Sequence, residues 1–462
     1  MTSATLSSTV RLIALPALLA LVACTGEDKA EDSATTGADG TGAGEDGADG
    51  GATDGTTDGG DGGAGVDGAD GGSGDGGDDG GPPPDPIVFA AEPSVTVPDA
   101  VSTLIPGDLD FDGVDELIYV TYEGRLVVRA SEGGLINVDR AEHLVAELVA
   151  AGLPEGSAVV GVPSVYGLRV AGSTGLSVPG AGLSLLMDAQ VDVRTGSTTA
   201  AASMTFVVEG LSTATPTVTL LVSTPGNYAQ ASTLLADIDG DGLNEAALER
   251  SSGLVVLKST EGMWSEVSGP VAESGLTAFL HVHALDLDSS APLDLYVLRD
   301  TGPGFTGASY AMGSGGGFGA FTSTAAGLAG YHSRSAGPAA GATELVVGDA
   351  AAGAWWAGVG APSLVPAVPA TTGVLGFFTV IGELDRSPGL DVVRSPAAGE
   401  GEAFSGNGLG AFREAELRLP GAWRGGVSGD FNGDGLDDLA YTGPLAGGDG
   451  SEITVWRNAF GE

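Results

Sequence analysis

"GDFNGDGLDDLAYTG" occupies residues 429–443. Oxygen-bearing side chains alternate at Asp430, Asn432 and Asp434, Gly435 follows, and Asp438 leads into the apolar run Leu439–Ala440–Tyr441. Alternating oxygens around a tight turn converge on one hard cation, and Ca²⁺ takes about six to eight oxygen ligands. The glycine supplies the positive φ that the bend requires.

The stretch has relatives along the chain. "GDLDFDGVDELIYV" places Asp108, Asp110, Asp112 and Glu116 in the same frame, and "ADIDGDGLNEAAL" does so with Asp237, Asp239, Asp241 and Glu245. The last carboxylate is always the ninth loop residue, and an apolar run follows it. Two copies are incomplete. "LDLDSSAPLDLYVL" keeps Asp286, Asp288 and Asp294 but has Ser290 at the third-ligand position, and "GELDRSPGLDVVR" keeps Glu383, Asp385 and Asp391 but has Ser387 there. "AGPAAGATELVVGD" keeps only Glu344 and the apolar run. Copies start at 237, 286, about 336, 383 and 430, a period in the high forties. Each unit reads as a strand into the loop, a strand out of it, a turn such as "EGR" or "SSG", a third strand and a glycine-aromatic turn such as "GNGLGAF" (406–412). About four short strands at that period predict the blades of a β-propeller.

These residues resemble the FG-GAP/VCBS repeat family, whose blades also build integrin α heads. The resemblance implies an all-β propeller of about seven blades, or eight, over residues 87–462. It also implies Ca²⁺ in the loops, held by Asp108, Asp110, Asp112 and Glu116, by Asp237, Asp239, Asp241 and Glu245, and by Asp430, Asn432, Asp434 and Asp438. Ligand charge tunes Ca²⁺ affinity. The Ser-substituted sets (Asp286, Asp288, Asp294; Glu383, Asp385, Asp391) are therefore expected to be weaker. Residues 131–236 lack the pattern. Even spacing through them gives eight blades, and reading part of them as insertion gives seven. "DRAEHLVAELVAAG" (139–152) predicts a helix with Asp139 as its cap and Glu142 completing a capping box. The last unit has room for three strands, and "PIVFAAEPSVTV" near residue 90 is expected to supply its fourth.

With 17 Lys+Arg against 61 Asp+Glu and a net charge of −44, the chain lacks the basic stripe of a nucleic-acid binder. Cys24 is the one cysteine, which excludes an intrachain disulfide and a cysteine-rich zinc site. It ends an apolar run, "RLIALPALLALVAC", too short to span a membrane. Leu21 does not suit ordinary signal-peptide cleavage, and Leu21-Val22-Ala23-Cys24 resembles the lipobox of bacterial lipoproteins. That resemblance implies a signal peptide over 1–23, lipidation of Cys24 and, with Thr25 following, the outer membrane or cell surface. A plain exported chain with an incidental cysteine is the alternative. Residues 25–86 hold 17 acids and one Lys among Gly, Ala and Thr, a composition that cannot bury a core and reads as a disordered linker.

His281 and His283 share one strand face, as metal ligands or as structural residues. Trp355 and Trp356 point to opposite faces, one into the core and the other to the rim or a sugar ring. Gly-x-Ser-x-Gly, His-Glu-x-x-His and Walker patterns do not occur. The expected function is a non-enzymatic, Ca²⁺-binding propeller that binds a protein or an extracellular glycan and meets the membrane only through its lipid anchor. A polysaccharide hydrolase or lyase on a propeller scaffold, and a purely structural envelope protein, are the alternatives.

Overall fold

The computed structural model describes residues 84–460 apart from 110–111, 133–134, 171–183, 212, 226–232, 242–244, 251–252, 261–262, 272–278, 303–304, 315–316, 329–330, 337–342, 350–352, 369–376, 397–400, 421–425, 446–447 and 449. The leader, Cys24 and most of the acidic linker lie outside the described residues, as do Asp110 and Gly242.

Each repeat folds as one antiparallel sheet, and among the described residues there are seven such blades. Blade 1 comprises Val101–Gly107, Glu116–Thr121, Arg125–Glu132 and Leu135–Leu144. Blade 2 comprises Ser157–Val170, Ser184–Thr195, Thr198–Glu209 and Thr217–Pro225. Blade 3 comprises Thr233–Ala236, Glu245–Arg250, Gly253–Thr260 and Met263–Val271, and blade 4 Phe279–Leu285, Asp294–Gly302, Phe305–Ala311 and Thr322–Leu328. Blade 5 comprises Tyr331–Ala336, Glu344–Asp349, Gly353–Gly358 and Ala361–Val368, and blade 6 Phe377–Gly382, Asp391–Pro396, Glu402–Gly406 and Phe412–Ala415. Blade 7 has three strands of its own, Val427–Gly429, Asp438–Pro444 and Ser451–Asn458. The first strands of successive blades touch one another in turn, and that of blade 7 touches that of blade 1. They form a closed inner ring.

The ring is sealed by the start of the domain, as expected. Ile87–Ala91 adds a fourth strand to blade 7, pairing Phe89 with Asn458 and Ala91 with Trp456. Val95–Val97 continues along the same edge, with Val95 opposite Ile453. A propeller closed by its distant termini leaves no open seam between its first and last blades.

The core is divided among seven clusters, each between two consecutive blades. Alternate residues of a strand point to opposite faces, and here both faces are covered. In blade 1, Leu117 and Tyr119 pack toward blade 7, while Ile118 and Val120 pack toward blade 2. In blade 4, Leu295 and Val297 face blade 3, while Tyr296 and Leu298 face blade 5. This two-sided burial explains why "ELIYV", "DLYVL" and "ELVV" read as unbroken apolar runs.

Residues 131–236 resolve the blade count at seven. They hold the outer strand of blade 1, one helix and a single blade with strands of up to 14 residues. The predicted helix is shorter than its sequence suggests. It spans Val145–Gly152, its N-cap is Leu144, and no side chain caps it. Residues 135–144 are strand, where Asp139 pairs with Arg129 at 2.7 Å and Glu142 with Arg125 at 2.8 Å. Those ion pairs take the two side chains that would have formed a capping box. The helix buries Val145, Leu148 and Val149 between blades 1 and 2.

Ring closure makes Ile87 and Phe89 more important than their place beside a linker suggests, since both are buried. Ile87→Ala and Phe89→Ala should each cost about 2–5 kcal/mol in denaturant unfolding. Losses below about 0.5 kcal/mol, the scale of an ordinary surface site, would contradict this closure.

Candidate metal centres

Each acidic loop joins the first strand of its blade to the second, so the loops share one end of the ring. Of their acidic positions, the ninth are the most buried. Glu116, Glu245, Asp294, Asp391 and Asp438, together with Glu344 of blade 5, are all 2% exposed or less. One oxygen of each accepts a loop amide. Leu109 N donates to Glu116 at 2.7 Å, Ile238 N to Glu245 at 2.8 Å and Leu287 N to Asp294 at 2.8 Å. Leu384 N donates to Asp391 at 2.7 Å and Phe431 N to Asp438 at 3.1 Å. In blade 5 the donor is Leu390 N from the loop of blade 6.

The other oxygen follows side-chain length. In the three Asp blades it accepts a main-chain amide of the third strand or just past its end: Gly313 N at 2.7 Å, Gly406 N at 2.9 Å and Asn458 N at 2.7 Å. In two Glu blades it bonds a side chain, Arg140 at 2.8 Å from Glu116 and Trp356 Nε1 at 2.7 Å from Glu344, whereas Glu245 Oε1 makes no hydrogen bond among the described residues and lies 3.6 Å from the Lys258 ammonium.

The outer ligand positions wrap the turn. Asp430 accepts from Gly433 N at 2.7 Å and Gly435 N at 2.8 Å, Asn432 from Asp434 N at 2.9 Å, and Asp434 from Leu436 N at 2.9 Å. Asp108 accepts from Gly113 N at 2.9 Å and Asp112 from Val114 N at 2.9 Å. Gly113 and Gly435 have φ of +85° and +86°, the left-handed bend expected of them. Carboxylate oxygens of Asp237, Asp239 and Glu245, and likewise of Asp286, Asp288 and Asp294, lie within 4.8 Å of one another. The Ser290-containing loop thus gathers its acids as closely as blade 3 does. At the loop of blade 6, Ser387 Oγ donates to Gly406 O at 2.8 Å and Asp385 accepts from Ser387 N at 2.6 Å. Glu383 is partly exposed and Asp385 is buried.

A second function of these loops is absent from the pattern that identifies them. The eighth residue reaches back to the preceding blade. Asp115 N donates to Asp430 O at 2.7 Å, Asp437 N to Glu383 O at 2.7 Å, and Leu293 N to Ile238 O at 2.8 Å. Where that residue is Asp, its carboxylate returns the bond: Asp430 N to Asp115 at 2.9 Å, and Glu383 N to Asp437 at 2.8 Å. The preceding loop must be glycine at its entrance, because a Cβ on Gly429 would lie 2.6 Å from Asp115 Oδ2 and one on Gly382 2.3 Å from Asp437 Oδ2. Arg334 of blade 5 contacts Asp437 and also donates to Ser428 Oγ at 2.8 Å, reaching across blade 6 to blade 7. Burial, with Asp437 nearby, pushes the Asp115 carboxyl up to about 7.

The other candidates are structural in their surroundings. His281 and His283 stack with ring centroids 6.2 Å apart, and burial, His281 and Arg169 push His283 down to about 3. No described histidine joins a group of three metal-ligating side chains. Trp356 is buried against blade 6, and Trp355 packs partly buried against blade 4.

No family model matches the chain, and no curated protein matches it. Solved structures do resemble it. The BBS1N domain in complex with ARL6DN is similar at 9% identity in a lead-soaked crystal and 11% in a mercury-soaked one. Each of these covers 82% of this chain and 99% of the other, with a TM-score of 0.44. A protein of unknown function from Dyadobacter fermentans is similar at 11% identity over 80% of this chain and 97% of its own, with a TM-score of 0.34.

The buried ninth positions predict a pH dependence. Burial, with Asp385 adding to it, pushes the Asp391 carboxyl from 3.8 up to about 8. Burial likewise pushes Asp438 up to about 8, against the bond from Asn458. Folded values above unfolded ones mean that the folded state holds these protons more tightly. Without metal, their contribution is full below about pH 4 and is lost as pH rises toward about 8. Melting temperature in EDTA should therefore fall between about pH 5 and 8, with a flatter slope in Asp391→Asn and Asp438→Asn. A rise over that window in EDTA would contradict it.

Proposed function

We propose that this chain is a calcium-stabilised binding propeller, held at the bacterial cell surface by a lipidated Cys24 and the acidic linker that follows. The observation that carries the calcium reading is convergence in blade 4, where Asp286, Asp288 and Asp294 bring carboxylate oxygens within 4.8 Å of one another with no ion pair among the described residues, in a frame that resembles known calcium loops. Uncompensated carboxylates at that distance repel one another, and a divalent cation relieves the repulsion. The rigid ring leaves loops and turns at both ends for a protein or an extracellular glycan, since binding residues concentrate on loops set by a scaffold. The anchor is assigned to Cys24 because Leu21-Val22-Ala23-Cys24 resembles a lipobox.

Metal that binds only the folded form stabilises it by mass action. At a Kd on the order of 10⁻⁴ M and about 1–2 mM Ca²⁺, each site contributes about 1.5–2 kcal/mol. Melting in EDTA, in NaCl and in CaCl₂ at equal ionic strength is the test. CaCl₂ alone should raise the melting temperature by several degrees, and Asp434→Ala should remove part of that increment. Superposed NaCl and CaCl₂ curves would contradict the calcium reading. The anchor is tested separately: Cys24→Ser should leave the protein unprocessed or soluble, and a processed mutant that stays with membranes would contradict it. Glycan-array binding and pull-down from envelope extracts, with and without Ca²⁺, address the partner, while turnover of a polysaccharide would favour the enzyme.

A further inference from the structure

One loop already contains a cation. The chain has two lysines, Lys29 and Lys258. Lys258 stands directly across from Glu245 in the pairing of the second and third strands of blade 3, so the two side chains leave the sheet on one face. The ammonium lies 2.6 Å from Asp239 Oδ2, 2.5 Å from Asp241 Oδ2 and 3.6 Å from Glu245 Oε1. An ammonium has three donors and no acceptor, and here it faces three carboxylates. They are the third, fifth and ninth residues of the loop, three of the four positions assigned to a metal.

The other loops are built differently. Among the described residues of the blade 1 loop, Arg140 pairs with the ninth, Glu116, at 2.8 Å. In blade 4, Asp286, Asp288 and Asp294 form no ion pair among the described residues, and Ser290 Oγ donates to Asp288 at 2.5 Å. The Asp438 oxygens of blade 7 accept from Phe431 N, Asn458 N and Asn432 Nδ2.

We propose that the Lys258 ammonium is the resident cation of the blade 3 loop, holding Asp239, Asp241 and Glu245 in place of a divalent ion. Blade 3 then keeps its loop closed at any calcium concentration, and a metal could enter only by displacing a side chain fixed by strand register. The proposal deepens the calcium reading and rests on it only for the identity of the displaced ion. It also predicts that removing one lysine creates a metal site, the reverse of the usual effect of a substitution.

The test is calcium per chain by equilibrium dialysis, on the full-length wild type, Lys258→Gln and Asp434→Ala. Lys258→Gln should bind one more ion than the wild type. Its melting temperature should lie below the wild type's in EDTA and recover in CaCl₂. Equal stoichiometry in the wild type and Lys258→Gln would overturn the proposal, as would a destabilised variant that CaCl₂ does not restore. If the wild type and Asp434→Ala bind no calcium, the calcium reading of the other loops fails, while a gain on Lys258→Gln still upholds the role of Lys258. A second readout needs no variant. Acylation of Lys258 by an amine-reactive ester, followed by peptide mass, should be slow and unchanged by millimolar CaCl₂. Acceleration by CaCl₂ would show that calcium displaces the ammonium, and would overturn the proposal.

Discussion

A buried main-chain amide needs an acceptor, and the propeller meets that need with a carboxylate at the ninth residue of its loops. The second loop residue is an apolar plug in every acidic loop: Leu109, Ile238, Leu287, Leu384 and Phe431 are all 2% exposed or less. Its amide is drawn inside with it, out of reach of water. The ninth carboxylate, opening the next strand, is the partner. Its second oxygen then ties the loop onward, to the main chain when the residue is Asp and to a side chain when it is Glu. One methylene separates the two, and Glu116 and Glu344 bond Arg140 and Trp356 accordingly, while Glu245 Oε1 faces the Lys258 ammonium at 3.6 Å.

With the loops fixed, the ring follows. At Asp115 and Asp437 the eighth residue exchanges hydrogen bonds with the preceding blade's loop, and Leu293 donates one, so these loops are both a turn within one sheet and a joint to its neighbour. Below these joints, strands buried on both faces share their side chains between two interblade cores. Blade 7 borrows Ile87–Ala91 for its outer edge, so closure links residues far apart in the chain. Any metal bound in these loops acts on this joint as well as on its own turn.

The fold was largely legible because the loop frame and the two-sided apolar strands repeat at a fixed period. The propeller and its closure by the N-terminal strand followed from the repeat, while spacing alone left seven and eight blades open and the structure shows seven among the described residues. The second blade did not show its nature, because the stretch between its first two strands, residues 171–183, carries no acidic residue. The helix start was misplaced because Asp139 and Glu142 have the spacing of a capping box yet serve as strand ion-pair partners. At the loops, the alternating acidic frame was plain, but the joint formed by Asp115 and Asp437 was not, although an acid next to the ninth position was its visible signal. Lys258 was invisible as a loop residue, since only strand register brings it back over positions 239–245.

Whether the ninth carboxylate holds the loop by itself or serves only as a metal ligand is decided by Asp438→Ala under chelation. With EDTA present, the two roles separate, because any metal contribution is absent from both proteins. Hydrogen exchange should show loss of protection at Phe431 and Asn458, spreading to the joint at Asp115. The accompanying stability loss should be about 1–3 kcal/mol, the cost of leaving buried amides unpaired. Identical protection of wild type and Asp438→Ala in EDTA, with a difference appearing only in CaCl₂, would contradict the account.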